Sequence, residues 1–124
     1  MTKKELRDRL IAHLKTTYAM EAVLASLPAP GARSNRRRTL GERLRAYGER
    51  PPRGTQAGRR LLGSLGDLDG ARPELRRQQR IAAGRLAMGV YDLLERLARR
   101  AGDDATARAA RELGAEEARA TRVD

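Results

Sequence analysis

Arg72–Gly102, RPELRRQQRIAAGRLAMGVYDLLERLARRAG, is the stretch that decides the fold. Pro73 suits the first turn of a helix, where its missing N–H has no intrahelical partner to lose. Gly102 suits the end, because the left-handed position that closes many helices is open to a residue without a Cβ. Between them Leu75, Gln79, Ala83, Leu86, Val90, Leu93, Leu94, Leu97 and Ala101 recur at steps of three and four. Gln79 aside, they form one apolar stripe with a period near 3.6 residues. Such a helix must bury its stripe against other helices, and the rest of the chain has to supply them.

Downstream, Asp103 or Asp104 can cap a new helix at once, so the connection reads as a tight antiparallel hairpin. The last helix is predicted over about Ala105–Thr121. It places Ala109, Ala110, Leu113 and Ala120 inward, with Glu117 at the edge of that face and Glu116 farther round the other edge. Small inward residues imply close packing on the long helix. Upstream, residues 49–72 carry Pro51, Pro52 and glycines at 54, 58, 63, 66 and 70. At most Gln56–Leu65 makes a loose helical segment there, using Leu61, Leu62 and Leu65.

The N-terminal half supplies two more helices. Thr2 and Glu5 form a capping box. The first helix is predicted from Lys3 to about Leu27, ended by Pro28 and Pro30, since a residue before proline avoids helical angles. Leu6, Leu10, Leu14, Tyr18, Glu21, Leu24 and Ala25 share its inward face. After the basic loop 28–38, PAPGARSNRRR, Ser34 is a fitting N-cap. The second helix is predicted over about Asn35–Tyr47, with Leu40, Leu44 and Tyr47 inward, Gly41 weakening it and Gly48 as its stop.

Glu21 is the odd member of the first stripe, because a buried carboxylate is costly unless paired or hydrogen-bonded. One reading is a metal ligand or proton-handling group. Another is a structural partner: a core arginine, Gln79 or a tyrosine hydroxyl. A third is a helix end loose enough to leave the group wet.

Composition sets the limits. At 124 residues the chain is a single domain, 1–124, with a basic, loop-rich segment at about 28–72. It has no Phe, Trp or Cys, so leucine and alanine must fill a thin core, with Tyr18, Tyr47 and Tyr91 as the only rings. The lack of cysteine fits a reducing compartment, and a cytoplasmic location is expected. No apolar run approaches the roughly 18–20 residues that span a bilayer, and the stretch MTKKELRDRL, charged at helical spacing, does not read as a signal peptide. The net charge is +11, concentrated in residues 29–60, where ten arginines meet only Glu42 and Glu49. Basic clusters can bind nucleic acid, anionic lipid or acidic partners. Arg33, Arg36, Arg37, Arg38, Arg43 and Arg45 are the candidate phosphate contacts. Base composition offers a plainer origin, since lysine occurs only at positions 3, 4 and 15.

Three stretches carry a resemblance. TTYAMEAVL at 16–24 resembles the Tyr-Ala-x-Glu opening of the ferritin-like, stress-associated proteins of the YciE/YciF type. VYDLLERLARRAGDDATARAARELGAEEARA at 90–120 resembles that family's last helical hairpin, and GERLRAYGERPPRG at 41–54 is similar to its end of helix 2. The resemblance implies an all-α, ferritin-like antiparallel four-helix bundle, here small and incomplete. In intact members the interior can carry a carboxylate–histidine dimetal site. Such a site needs a Glu from each of two helices and a Glu-x-x-His from each of the other two. Glu21 matches the family's first-helix glutamate, and Glu116 and Glu117 match its last-helix pair. The second-helix ligand positions have no counterpart, and the third-helix ones fall on Ala87 and Arg85. The only histidine, His13, stands two turns before Glu21 and about 80° round the helix from it.

Glu21, Glu116 and Glu117 are thus vestigial metal candidates, and no cofactor is expected unless iron or manganese uses that remnant. With no cysteine and one histidine, neither a zinc quartet nor a nucleophile–base–acid set can be assembled. The glycines at 54–70 lack a phosphate-loop pattern. The expected function is therefore a non-catalytic ferritin-like bundle protein, stress-associated by resemblance. A basic nucleic-acid-binding protein is the alternative, and a residual metal-binding or redox protein the third. The long helix would measure about 42 Å and the second only about 20 Å, at 1.5 Å per residue. That mismatch leaves half of the long helix poorly covered and predicts self-association as a dimer, or else a marginal monomer.

Overall fold

The computed structural model describes residues 1–25, 33–53 and 73–122, in which there are four helices and no strand. They are α1 (Lys3–Leu24), α2 (Arg33–Ala46), α3 (Pro73–Arg100) and α4 (Asp104–Arg122). The predicted segment Gln56–Leu65 and the last turn of the first helix, 26–27, lie outside the described residues. The second helix starts two residues before the expected Asn35, and Tyr47 lies just past its end.

Local signals act as chemistry requires. Thr2 Oγ1 accepts from the Glu5 amide at 3.1 Å, closing the N-terminus of α1. Two helices end in the same left-handed glycine motif. At the end of α2, Gly48 has φ 74°, and the Gly48 and Glu49 amides return to Arg45 and Leu44 carbonyls. At the end of α3, Gly102 has φ 77°, and the Gly102 and Asp103 amides return to Arg99 and Ala98. Both satisfy carbonyls that a bare helix end leaves unpaired.

The chain forms an all-α four-helix bundle. α3 packs most extensively on α4, α1 packs on both α2 and α3, and α2 touches α4 more lightly. The helices therefore form a ring, α1–α2–α4–α3, around one core. That core holds Leu10, Leu14, Met20, Leu24, Leu40, Leu44, Leu94, Leu113 and several alanines, with Tyr91 as its one fully buried ring. Full burial of each such leucine is worth about 1.5–3 kcal/mol.

The buried face of α3 differs from the predicted one. Ala83, Ala87, Tyr91, Leu94 and Ala98 are buried, whereas Leu86 is 37% and Leu93 48% exposed. Val90, Leu97 and Ala101 pack at the margin of the core. The side chains of Leu75 and Gln79 lie outside the described set. Two apolar rows run along α3, about 120° apart at 100° per residue. The row richer in alanine faces the core, and its Tyr91 lies against α4. A Cβ added to Gly114 of α4 would meet the Tyr91 Cβ at 3.3 Å. Leu94 and Tyr91 bury between the alanines of this row, and hydrophobicity alone does not single it out. Smaller corrections follow on the other helices. Ala120 and Ala25 are exposed, Leu6, Tyr18 and Ala109 are half-buried, and Thr17, Ala19, Met20, Thr106 and Ala107 join the core.

Candidate functional site

Polar residues meet inside the bundle, at least one from each helix. Glu21 of α1 is 0% exposed, Glu117 of α4 is 2% exposed and Arg36 of α2 is 5% exposed; Tyr91 of α3 completes the set. Their positions follow from helix periodicity. Arg36 stands one turn before Leu40 and two before Leu44, on the inward row of α2. Glu117 continues the row of Ala110 and Leu113, and Tyr91 continues that of Ala83 and Ala87.

The Arg36 guanidinium links α2 to α1 and α4. Its Nη1 donates to Glu117 Oε2 and stands 3.6 Å from Glu21 Oε1. Its Nε faces Glu116 Oε2 at 3.4 Å, a charge contact rather than a hydrogen bond. The Tyr91 hydroxyl donates to Glu21 Oε1 at 2.5 Å. Burial by itself would lower the Arg36 pKa. The hydrogen bond to Glu117 and the charges of Glu117 and Glu21 outweigh it and raise the value, so the guanidinium is a permanent cation. Burial, then the charge of Glu21 and the hydrogen bond to it, push the Tyr91 phenol far above its ordinary value. Tyr91 is therefore a fixed donor.

A second polar group closes the end of the bundle. Asp103 Oδ1 accepts from the Thr106 amide at 3.0 Å and caps α4. Asp103 Oδ2 accepts from the hydroxyls of Thr106 and Tyr47. Arg43 Nε donates to Thr106 Oγ1 at 2.9 Å, and its Nη2 lies 3.5 Å from Asp103 Oδ1. Burial would raise the Asp103 pKa; the hydrogen bonds from Thr106 and Tyr47 and the Arg43 charge overcome that and lower it.

The candidate residues thus separate into different roles. Glu21 and Glu117 lie on either side of one guanidinium, while Glu116 reaches it from a partly exposed position. Arg36 and Arg43, expected among the phosphate contacts, are turned to internal acceptors. Arg36 is not open to a phosphate, because burial and two carboxylates enclose it. Arg38 and Arg45 are exposed, Arg37 is half-buried, and the side chain of Arg33 lies outside the described set. His13 is half-buried, and its Nε2 donates to the Val90 carbonyl at 3.0 Å, which ties α1 to α3.

These residues do not fit a dimetal centre. Among the described residues, no three His, Cys, Asp or Glu side chains are gathered as a metal ion requires. The guanidinium takes the position facing both buried carboxylates, Ala87 offers no donor atom and Arg85 is exposed. Nor is any helix among the described residues long and apolar enough to cross a membrane.

Sequence reasoning named a core arginine and a tyrosine hydroxyl as partners for Glu21 but did not identify Arg36 or Tyr91. The spacing to Leu40 and Leu44 narrows the arginine to Arg36 or Arg37 and does not choose between them. No known family model, curated protein or solved structure matches this chain.

Proposed function

We propose that this chain is a non-catalytic helical bundle protein of the ferritin-like type, cytoplasmic and stress-associated in the manner of YciE/YciF-type proteins. Its interior carboxylates are neutralised by an arginine instead of metal ions. The observation that carries this reading is the placement of the Arg36 guanidinium between Glu21 and Glu117. An arginine held as a permanent cation supplies charge without open coordination positions, so it can close a bundle but cannot activate oxygen or water. Tyr91 acts as a fixed hydrogen-bond donor to the same cluster.

The test is metal retention. The protein is incubated with iron(II) or manganese(II), dialysed and analysed for bound metal, with oxygen consumption followed in parallel. The reading expects no stoichiometric metal and no turnover. Two equivalents per chain after dialysis, or oxygen consumption lost in Glu21→Ala, would overturn it.

A second reading, weak binding of nucleic acid, draws on the net charge of +11 and on exposed Arg38 and Arg45. It predicts affinity that falls steeply with salt and shows no sequence preference, because phosphate contacts alone would supply it. A mobility-shift titration at low and physiological salt decides it, and lack of any shift at low salt would remove it.

A further inference from the structure

The outer row of α3 carries an arrangement that the bundle does not use. Ala82, Leu86, Gly89 and Leu93 lie within about 60° of one another at 100° per residue, and all four are exposed. Val90 and Leu97 stand half-buried beside them, continuing the row toward the core. Gly89 is the telling member. It lies in the interior of a 28-residue helix, where glycine is unfavourable, and nothing comes within 4 Å of a Cβ built there. No contact within the described chain explains a residue of that size, whereas close approach of another helix does.

We propose that this row is the interface of a symmetric dimer, in which α3 crosses α3 of a second copy antiparallel with Gly89 on the two-fold axis. The occupant follows from charge and register. In an antiparallel pair centred on residue 89, position 86 of one copy faces about position 92 or 93 of the other. Leu86 then packs on the partner's Leu93, and by symmetry Leu93 packs on the partner's Leu86. Arg85 and Asp92 flank the row on the same side, and both are exposed. The same register brings Arg85 opposite the partner's Asp92, also twice. Asp92 pairs with the exposed Arg96 of the next turn at 3.1 Å, a contact of little worth in water. One self-complementary patch thus matches leucine to leucine, glycine to glycine and cation to anion. A contact of a few helical turns is smaller than the roughly 1,200–2,000 Å² of stable interfaces, so the dimer is reversible. The surface is independent of the interior arginine and of the function proposed above.

Sedimentation velocity over a concentration series tests this, with circular dichroism on each variant to confirm an unchanged helix content. The wild type is expected to shift from monomer to dimer as concentration rises. Leu86→Glu and Leu93→Glu should each be monomeric throughout, because both side chains are exposed in the folded monomer and their loss leaves the core intact. Arg85→Glu and Asp92→Arg should each weaken the dimer at least tenfold by placing like charges opposite one another. The double variant, R85E with D92R, should restore it. A wild type that is monomeric at every concentration overturns the proposal and leaves the row to a different partner. A dimer that survives Leu86→Glu overturns it as well. Failure of the double variant to recover association, where both single variants lose it, overturns the antiparallel register.

Discussion

Replacing Arg36 with methionine should damage the fold as severely as truncating a core leucine. Methionine keeps the length and flexibility of the side chain but removes the cation. The guanidinium lies 3.6 Å from Glu21 Oε1 and donates directly to Glu117. At 3.6 Å and an effective dielectric constant of about 20, one such pair has a gross attraction of roughly 4–5 kcal/mol. Removing the guanidinium also relieves its own burial, so the full attraction is not lost. The carboxylates, however, stay buried. Breaking a buried pair from one side typically costs about 3–5 kcal/mol. Against a total stability of about 5–15 kcal/mol, that is a melting-temperature loss on the order of 10–20 °C. The assay is thermal and urea unfolding followed by circular dichroism, with Arg36→Met compared to a triple variant that adds Glu21→Gln and Glu117→Gln. The neutral amides need no cation, so the triple variant should recover most of the loss. A loss below about 1 kcal/mol in Arg36→Met, the worth of a solvated pair, would refute the reasoning. So would a triple variant no more stable than the single one.

Other outcomes follow from the same structure. Tyr91→Phe removes the donor to Glu21 and should cost about 1–3 kcal/mol in urea unfolding, the range for losing one partner of a buried polar group. Leu94→Ala should cost about 2–5 kcal/mol, while Leu86→Ala should stay within about 0.5 kcal/mol in the monomer, since the first is buried and the second exposed. Asp103→Ala uncaps α4 and should cost about 1–2 kcal/mol at neutral pH. Because the folded Asp103 pKa is lowered, its contribution is present above the unfolded value near 4. It is lost as pH falls through the folded value, and the acid limb of a stability–pH curve should flatten in that variant. Burial, and then the hydrogen bond to Asp103, push the Tyr47 phenol up to about 12. The unfolded chain releases that proton near 10, so stability should fall as pH rises from about 10 to 12, and Tyr47→Phe should remove that part of the decline.

Much of the fold is legible in the sequence because its punctuation is local. Thr2, Gly48, Pro73, Gly102 and Asp103 act through their own backbone or the next turn, and each helix boundary they imply lies within a few residues of the observed one. The inward face of α3 was not legible, because two apolar rows competed and hydrophobicity does not rank them. The buried row is Ala83, Ala87, Tyr91, Leu94 and Ala98, and Leu86 and Leu93 lie outside it. Of the interior cluster, Glu21 was visible as a carboxylate amid leucines, and a core arginine and a tyrosine hydroxyl were among its named partners. Arg36 was hidden by its neighbours. It stands first in a run of three arginines, and at 100° per residue Arg37 lies as close to the row of Leu40 and Leu44 as Arg36 does, so spacing does not separate the two. Glu117 appeared at the edge of its face because the predicted stripe included Ala109 and Ala120. The actual stripe of Thr106, Ala110 and Leu113 leads straight to it.

A fixed, buried guanidinium is the cation inside the bundle. Nitrogen-detected NMR of arginine side chains addresses it most directly. One guanidinium should show separately resolved Nη protons and slow solvent exchange, with signals that vanish in Arg36→Met, because a paired and buried group neither rotates freely nor meets water. A wild-type spectrum in which every arginine gives averaged, rapidly exchanging Nη signals would contradict it.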